Sequence, residues 1–167
     1  NIYQKEGDWR KAIQIAKRIE RESQRPMHLT IAHYYCELSL LEKDKGFYSQ
    51  AKKYLKQALA FDSTCVRARI VWAELEVSQL NYTDAIYQYK QVQEHDADYV
   101  FEILAPLSVC FQQCDQVSSF MLYLKGLMHK DCHVASLVEI AKYMEQFESA
   151  EQAIPYVEQS LQRSPSL

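Results

Sequence analysis

Cysteine and histidine are the side chains of this sequence whose spacing comes closest to that of a metal site. Cys110 and Cys114 are one helical turn apart, and His129, Cys132 and His133 follow some fifteen to twenty residues later. Thiolate sulfur and imidazole nitrogen are the usual ligands of tetrahedral zinc. The same spacing also fits two thiols on one helix, with Cys110 on the core side as a small apolar group. We favour this second interpretation and predict no metal ligand.

A nucleophile and its base form the other arrangement worth testing, with Cys132 beside His129 or His133. Catalysis by such a pair requires a third group that orients the base. The sequence offers no identifiable candidate for that group, and the pair falls in an expected inter-repeat turn. We therefore predict that no residue is catalytic and that the chain is not an enzyme.

Composition excludes several further classes of function. The 167 residues are 48% hydrophobic and 25% charged, with a net charge of −3, which gives ample material for a core but no basic face for nucleic acid. The three glycines (Gly7, Gly46 and Gly126) lie too far apart to build a phosphate-binding loop. The longest stretch without Asp, Glu, Lys or Arg, residues 103–114, is too short to span a bilayer.

The five cysteines are odd in number and irregularly spaced, which is typical of a reducing compartment rather than of a disulfide scaffold. The chain begins with Asn1 rather than Met and opens on what resembles the end of a helix. We therefore interpret it as a piece of a longer protein.

An internal repeat determines the predicted fold. Lys45-Gly46-Phe47-Tyr48-Ser49-Gln50-Ala51 and Leu80-Asn81-Tyr82-Thr83-Asp84-Ala85 share one pattern, and their alanines are 34 residues apart. Two further steps of 34 lead to Ser119 and Ala153. Two helices pack closely only where small side chains lie between their backbones, so this period resembles the tetratricopeptide repeat, a helix–turn–helix unit.

The fold class that follows is all-α, a right-handed α-solenoid of tetratricopeptide repeats whose concave face is lined by each first helix. We predict a partial first repeat at 1–26, repeats at 27–63, 64–97 and 132–167, and a degenerate repeat at 98–131. The periodicity places helices at 9–22, 28–43, 48–61, 65–79, 82–94, 99–113, 117–129, 134–146 and 150–163. Asp62-Ser63-Thr64 and Asp96-Ala97-Asp98 offer N-cap groups to the helices after them, and Pro106 predicts a kink or a late start in its helix.

Three stretches resemble one family more closely than the repeat class requires. They are Asn1-Ile2-Tyr3-Gln4 with Asp8-Trp9-Arg10-Lys11-Ala12-Ile13, then Ile31-Ala32-His33-Tyr34-Tyr35-Cys36-Glu37-Leu38-Ser39-Leu40, and finally Leu161-Gln162-Arg163-Ser164-Pro165. Together they are similar, from end to end, to the bacterial lipopolysaccharide assembly protein B family. The resemblance implies an N-terminal membrane helix and a C-terminal rubredoxin-like metal knuckle, holding iron or zinc, both outside this chain. The Cys-x-x-Cys pairs of that knuckle would follow Leu167, so we expect no cofactor in this chain.

The same resemblance implies a regulatory role at the cytoplasmic face of the bacterial inner membrane. The chain would be an adaptor that brings the deacetylase of the lipid A pathway to a membrane AAA protease, and so limits lipopolysaccharide synthesis. Its partners would be these two proteins and other lipopolysaccharide assembly proteins, with no nucleic acid and no membrane contact of its own. The rival interpretation is the repeat region of a protein N-acetylglucosaminyl transferase or of another enzyme with such repeats.

Register along the repeats predicts a protein-binding groove on the concave face. Its residues are His33, Arg67, Ile70, Glu74, Phe101, Leu104, Ser108 and Phe111. The predicted groove is apolar with scattered charged residues, which suits a partner that binds as an amphipathic helix or as an extended apolar peptide. It lacks the Lys and Asn positions of a chaperone-tail clamp, and that argues against a co-chaperone.

Overall fold

The structure, a computed structural model, describes residues 8–128 and 134–147, together with the single residues 154, 155, 158 and 162. Helices and turns make up the described ranges, without a strand. The eight α-helices are α1 Asp8–Ser23, α2 His28–Asp44, α3 Tyr48–Phe61, α4 Val66–Ser78, α5 Tyr82–His95, α6 Val100–Gln113, α7 Val117–Met128 and α8 Val134–Phe147. Each helix end lies within one residue of its predicted position. Of the ninth predicted helix, 150–163, only residues 154, 155, 158 and 162 are described, and these four are helical.

The described helices form two compact units that divide after His95. In the N-terminal unit, α2 packs against α1, α3 and α4, while α4 packs against α3 and α5. In the C-terminal unit, α6, α7 and α8 pack against one another. Each unit thus contains helix–turn–helix pairs, which confirms the all-α repeat fold. No helix in the described ranges combines the length and apolar character needed to cross a membrane.

Alanines mark the helix contacts of the N-terminal unit. Ala51, Ala58, Ala73 and Ala85 are all 0% exposed. A methyl side chain lets two helix backbones approach more closely than a larger side chain would allow. The repeating small residues read from the sequence are therefore contact residues in this unit, as predicted.

Helices α2, α4 and α6 end in one local motif. Gly46, Leu80 and Asp115 each adopt a positive φ, of 80°, 61° and 54°. The N–H of the next residue donates back to a carbonyl of the last helical turn, for example from Asn81 to Glu76 over 2.9 Å and from Gln116 to Phe111 over 2.8 Å. This is the Schellman arrangement, which satisfies carbonyls that the helix end leaves unpaired.

The first helix of the degenerate repeat, α6, contains one residue more than α4. Val66 and Val100, which begin α4 and α6, are 34 residues apart, but Ser78 and Gln113, which end them, are 35 apart. The additional residue therefore lies within α6. Pro106 lies inside this helix, where it lacks the N–H for an i→i−4 bond. The helix starts after a 3₁₀ turn at Ala97–Tyr99 and continues through Pro106 to Gln113.

This additional residue corrects the predicted register of the third full repeat. Ser119, expected at the small contact position, is exposed. Phe120 is 1% exposed instead, and its N–H donates to the Gln116 carbonyl just as Ala85 donates to Asn81. An aromatic ring thus occupies the position that alanine holds in the N-terminal unit.

The predicted N-caps are also corrected. The Asp62 carboxylate accepts hydrogen bonds from the N–H and hydroxyl of Thr64, over 3.0 and 2.8 Å. Asp62 therefore stabilises the turn before α4, whose N-cap residue is Cys65. The Asp96 carboxylate accepts from the Asp98 N–H over 3.0 Å, within the 3₁₀ turn rather than at the start of α6.

A buried carboxylate ties α3, α4 and the following turn together. Glu76 is 2% exposed. Its oxygens accept from Lys52 Nζ over 2.8 and 2.9 Å, from Trp72 Nε1 over 2.8 Å and from Asn81 Nδ2 over 3.0 Å. Burial raises the pKa of the Glu76 carboxyl, but the hydrogen bonds from Lys52, Asn81 and Trp72 outweigh it, so its pKa lies below the ordinary value.

Replacing Ala85 by Leu tests the close helix contact. We expect Ala85→Leu to lower the free energy of unfolding by about 1–3 kcal/mol, because a fully buried contact has no room for the added atoms. Urea denaturation measures the change. Ala60→Leu, at an exposed position of α3, is the matched control and should change it little. Equal stability of both variants would contradict the assignment of Ala85 to a close contact.

The Glu76 carboxylate also predicts a pH dependence of stability. A folded-state pKa below the ordinary 4.5 means that its contribution is complete above about pH 4.5 and is lost as the pH falls through the folded-state pKa. Glu76→Gln should cost about 1–3 kcal/mol at pH 7 and should flatten the fall in unfolding free energy between pH 6 and pH 3. The control is Glu74→Gln, an exposed acid on the same helix. Parallel pH profiles for wild type and Glu76→Gln would refute this role.

Candidate functional site

Four of the predicted groove residues lie on neighbouring helices of the N-terminal unit. His33 is on α2, and Arg67, Ile70 and Glu74 are on α4, which packs against α2. The side chains of His33, Arg67 and Glu74 are 47%, 49% and 47% exposed, while Ile70 is half-buried. All four are therefore accessible to a partner.

Ion pairs connect these residues across the two helices. Arg67 Nη2 donates to Glu37 Oε1, and His33 Nε2 lies 3.7 Å from the same oxygen. Lys43 Nζ lies 3.3 Å from Glu74 Oε2. We call this surface the α2–α4 face, formed by His33, Glu37, Lys43, Arg67, Ile70 and Glu74. Its charges are held in a fixed pattern rather than scattered.

The groove predicted from the sequence does not include Glu37 or Lys43. Glu37 follows His33 by four residues, a spacing that brings two side chains together on a helix, and this signal was available. The pairing of Lys43 with Glu74 depends on how α2 packs against α4, which residue spacing alone does not give.

The other four predicted groove residues belong to α6 and divide into two groups. Phe101 is 44% exposed, but Leu104, Ser108 and Phe111 are 0%, 6% and 2% exposed. The prediction that these three line a surface groove is wrong. Because α6 is covered by both α7 and α8, they belong to the core of the C-terminal unit. The ring of Phe111, for instance, lies 5.3 Å from that of Phe120.

The exposed side of α6 is displaced by one residue from the prediction. Ala105, Val109 and Gln112 are exposed, and each directly follows one of the three buried residues. One additional residue in a helix turns the later positions by about 100°, which accounts for the displacement. We call this surface the α6 face, formed by Phe101, Glu102, Ala105, Val109 and Gln112.

The α6 face is mainly apolar. Phe101, Ala105 and Val109 are four residues apart and so form one row along the helix, and Val109 is 48% exposed. Phe101 and Val109 therefore place an aromatic and a branched aliphatic side chain in solvent at the two ends of this row.

Two shallow depressions lie elsewhere. One, of about 530 Å³, is lined by Phe47, Tyr48 and Lys53 among others, and the second, of about 410 Å³, by Met121, Leu122 and Phe147 among others. Neither lining contains a cysteine or histidine of the described chain. Neither therefore contains the cysteine–histidine pair considered from the sequence.

The candidate zinc ligands are only partly within the described structure. Cys110 is 1% exposed, and burial, aided by the nearby Cys114, raises the pKa of its thiol to about 11. That supports the interpretation of Cys110 as a buried apolar group. His129, Cys132 and His133 lie outside the described residues. Among those described, no three His, Cys, Asp or Glu side chains are grouped as metal ligands.

Comparison with known proteins identifies relatives along the whole chain. Lipopolysaccharide assembly protein B of Haemophilus influenzae (strain ATCC 51907) is 31% identical over 168 residues, and that of Escherichia coli strain K12 is 27% identical over 166 residues. Each match covers 99% of this chain. The resemblance to the lipopolysaccharide assembly protein B family is confirmed. The chain spans 41% and 43% of the length of these two relatives. No protein-family profile matches it.

The fold is shared with a solved helical repeat protein. The crystal structure of MamA, a protein of the tetratricopeptide type, superposes with a TM-score of 0.50 at 15% identity, covering 93% of this chain and 88% of MamA. At this identity the likeness concerns the fold alone. This chain, which is similar to lipopolysaccharide assembly protein B, thus has a helical repeat fold of the tetratricopeptide type.

We expect that residues of the α2–α4 face can be substituted while the chain keeps its fold. We expect Arg67→Ala to lower the free energy of unfolding by less than about 1 kcal/mol, because its ion pair is half-exposed. Lys52→Ala, which leaves the Glu76 carboxylate buried without its cation, should cost about 2 kcal/mol or more. Chemical denaturation of the two variants compares them directly. A larger loss for Arg67→Ala would show that the face is structural.

Proposed function

We propose that this chain is a non-enzymatic protein-binding region that acts in the regulation of lipopolysaccharide synthesis. The observation that carries the proposal is the match of the whole chain to lipopolysaccharide assembly protein B, at 27% and 31% identity. The helical repeat fold supports it, because such repeats present extended binding surfaces built from successive helices. The relatives are named lipopolysaccharide assembly protein B. This name favours a role in lipopolysaccharide assembly over the alternative that the chain is the repeat region of an N-acetylglucosaminyl transferase.

The proposed role is that of an adaptor between two proteins. It would hold the deacetylase of the lipid A pathway near a membrane AAA protease at the cytoplasmic face of the inner membrane. Tethering two proteins to one scaffold raises the effective concentration of one at the other. Proteolysis of the deacetylase would then fall when either contact is weakened.

The α6 face is the proposed docking surface for the deacetylase. Phe101 and Val109 are 44% and 48% exposed, and the small Ala105 between them leaves room for a partner side chain. An amphipathic helix presents apolar residues at three- and four-residue spacing, which matches such a row. Exposed aromatic side chains commonly provide a large share of the binding free energy at an interface.

The α2–α4 face is proposed to contribute orientation rather than affinity. Its ion pairs hold Arg67 and Glu74 in place, so a partner would meet charges whose positions are already fixed. Charged groups at the border of an interface mainly affect association rate and specificity.

Replacing the two apolar ends of the α6 face tests the proposal. We expect Phe101→Ala combined with Val109→Ala to weaken binding of the purified deacetylase at least tenfold, measured by biolayer interferometry on the immobilised chain. The double variant should keep the thermal midpoint of the wild type, because both side chains face solvent. The same substitutions in the full-length protein should make the deacetylase accumulate in cells.

Leu122→Ala is the matched control, since Leu122 is an apolar residue of α7 in the same unit and is 73% exposed. It should bind as the wild type does. A folded double variant that binds the deacetylase with unchanged affinity would place the docking surface elsewhere. Absence of binding by the wild-type chain would refute the proposed partner.

A further inference from the structure

Two thiols meet beneath the α2–α4 face. Cys36, in the middle of α2, is 0% exposed, and Cys65, the N-cap residue of α4, is only partly buried. Both are free cysteines, and each thiol shifts the pKa of the other. They pack in one core cluster together with Ala68 and Tyr35. A partly buried cysteine and a fully buried cysteine thus share one core cluster. The helices that carry them are joined close by, through the ion pair of Glu37 and Arg67.

The surroundings give the two thiols different protonation states. The hydrogen bond from Cys36 lowers the pKa of Cys65 to about 7, against burial and the Asp62 carboxylate, which raise it. The backbone N–H groups of Ala68 and Arg67, at the positive end of α4, lower it further. The hydrogen bond to Cys65, together with burial, raises the pKa of Cys36. Cys65 is thus the thiolate of the pair and Cys36 keeps its proton.

We propose that Cys36 and Cys65 form a reversible disulfide when the chain meets a hydroperoxide, with Cys65 as the attacking thiolate and Cys36 as the resolving thiol. The arrangement has the features of a redox-sensitive pair, a reachable thiolate beside a second cysteine. The proposal concerns the residues of this chain alone and does not depend on the proposed partner.

The chemistry takes two balanced steps. The Cys65 thiolate attacks the terminal peroxide oxygen, the O–O bond breaks, and the departing alkoxide takes a proton from water as Cys65 becomes a sulfenic acid. The Cys36 sulfur then attacks the Cys65 sulfur, the S–O bond breaks, and the hydroxyl leaves as water with the Cys36 proton. Two electrons pass from the thiols to the hydroperoxide, which is reduced to an alcohol and water.

The disulfide would act directly on the α2–α4 face. Glu37 follows Cys36, and Arg67 lies two residues after Cys65. These two residues form the ion pair that joins the helices at the surface. A covalent bond between the two sulfurs fixes the backbones that carry both charges, so oxidation would make this part of the face more rigid.

The test uses the purified 167-residue chain, treated with hydrogen peroxide and analysed by differential alkylation and peptide mass spectrometry. We expect a Cys36–Cys65 cross-linked peptide that dithiothreitol removes. Lowering the pH from 7 to 5 should slow its formation at least tenfold, because the thiolate fraction falls below the pKa. Cys36→Ser, which keeps a hydrogen-bond donor beside Cys65, should leave a sulfenic acid on Cys65 that dimedone traps, while Cys65→Ala should leave Cys36 reduced.

Cys114→Ala is the matched control, because Cys114 is also a partly buried cysteine, and this variant should form the cross-link at the wild-type rate. Circular dichroism checks that each variant is folded, and Cys36→Thr, which also keeps a hydroxyl donor, replaces Cys36→Ser if that variant does not fold. Cys36 and Cys65 both remaining reduced while Cys114 is oxidised would overturn the proposal. Oxidation of Cys65 without a cross-link in the wild type would equally overturn it.

Discussion

Close approach between helices is the constraint on which the N-terminal unit depends. A side chain larger than a methyl group at Ala51, Ala58, Ala73 or Ala85, all 0% exposed, would separate helices that now touch. The buried Glu76 depends on the same proximity, because Lys52 of α3 reaches it over only 2.8 Å. The ion pair between Glu37 and Arg67 and the thiol pair of Cys36 and Cys65 likewise require α2 and α4 to be adjacent. The C-terminal unit keeps the repeat plan with different residues, since Phe120 lies where alanine is found in the N-terminal unit.

The two candidate surfaces differ in chemistry because their first helices differ in sequence and length. On α2 and α4, exposed charges face one another and pair. On α6, one additional residue turns Leu104, Ser108 and Phe111 into the core, and Ala105, Val109 and Gln112 take the solvent side. The N-terminal unit thus offers paired charges, and the C-terminal unit offers an apolar row.

Most of the secondary structure could be predicted from the sequence, but only part of the candidate site could be predicted in this way. Helix limits follow from periodic apolar residues and from polar turns, which are local signals, and each was placed within one residue. The register of α6 was missed because Leu80 and Asp115 adopt the left-handed conformation that glycine usually marks, as it does at Gly46. Neither of these two helix ends therefore carries a glycine that would mark its position in the sequence. Pairs such as Lys43 with Glu74, or Cys36 with Cys65, depend on tertiary packing and have no counterpart in residue spacing.

The unequal length of α6 limits how far these repeats are interchangeable modules. Repeat proteins are often shortened, extended or recombined by exchanging units of constant length. Here, replacing the segment between Leu80 and Asp115 by a unit of 34 residues would rotate α6 about its axis relative to the neighbouring helices. Core side chains of α6 would then face the solvent. A recombinant protein that keeps α6 intact, with its junctions in the turns at residues 96–99 and 114–116, preserves the phase. The places where repeats of this chain can be exchanged are therefore set by the ends of its helices rather than by the 34-residue period of its sequence.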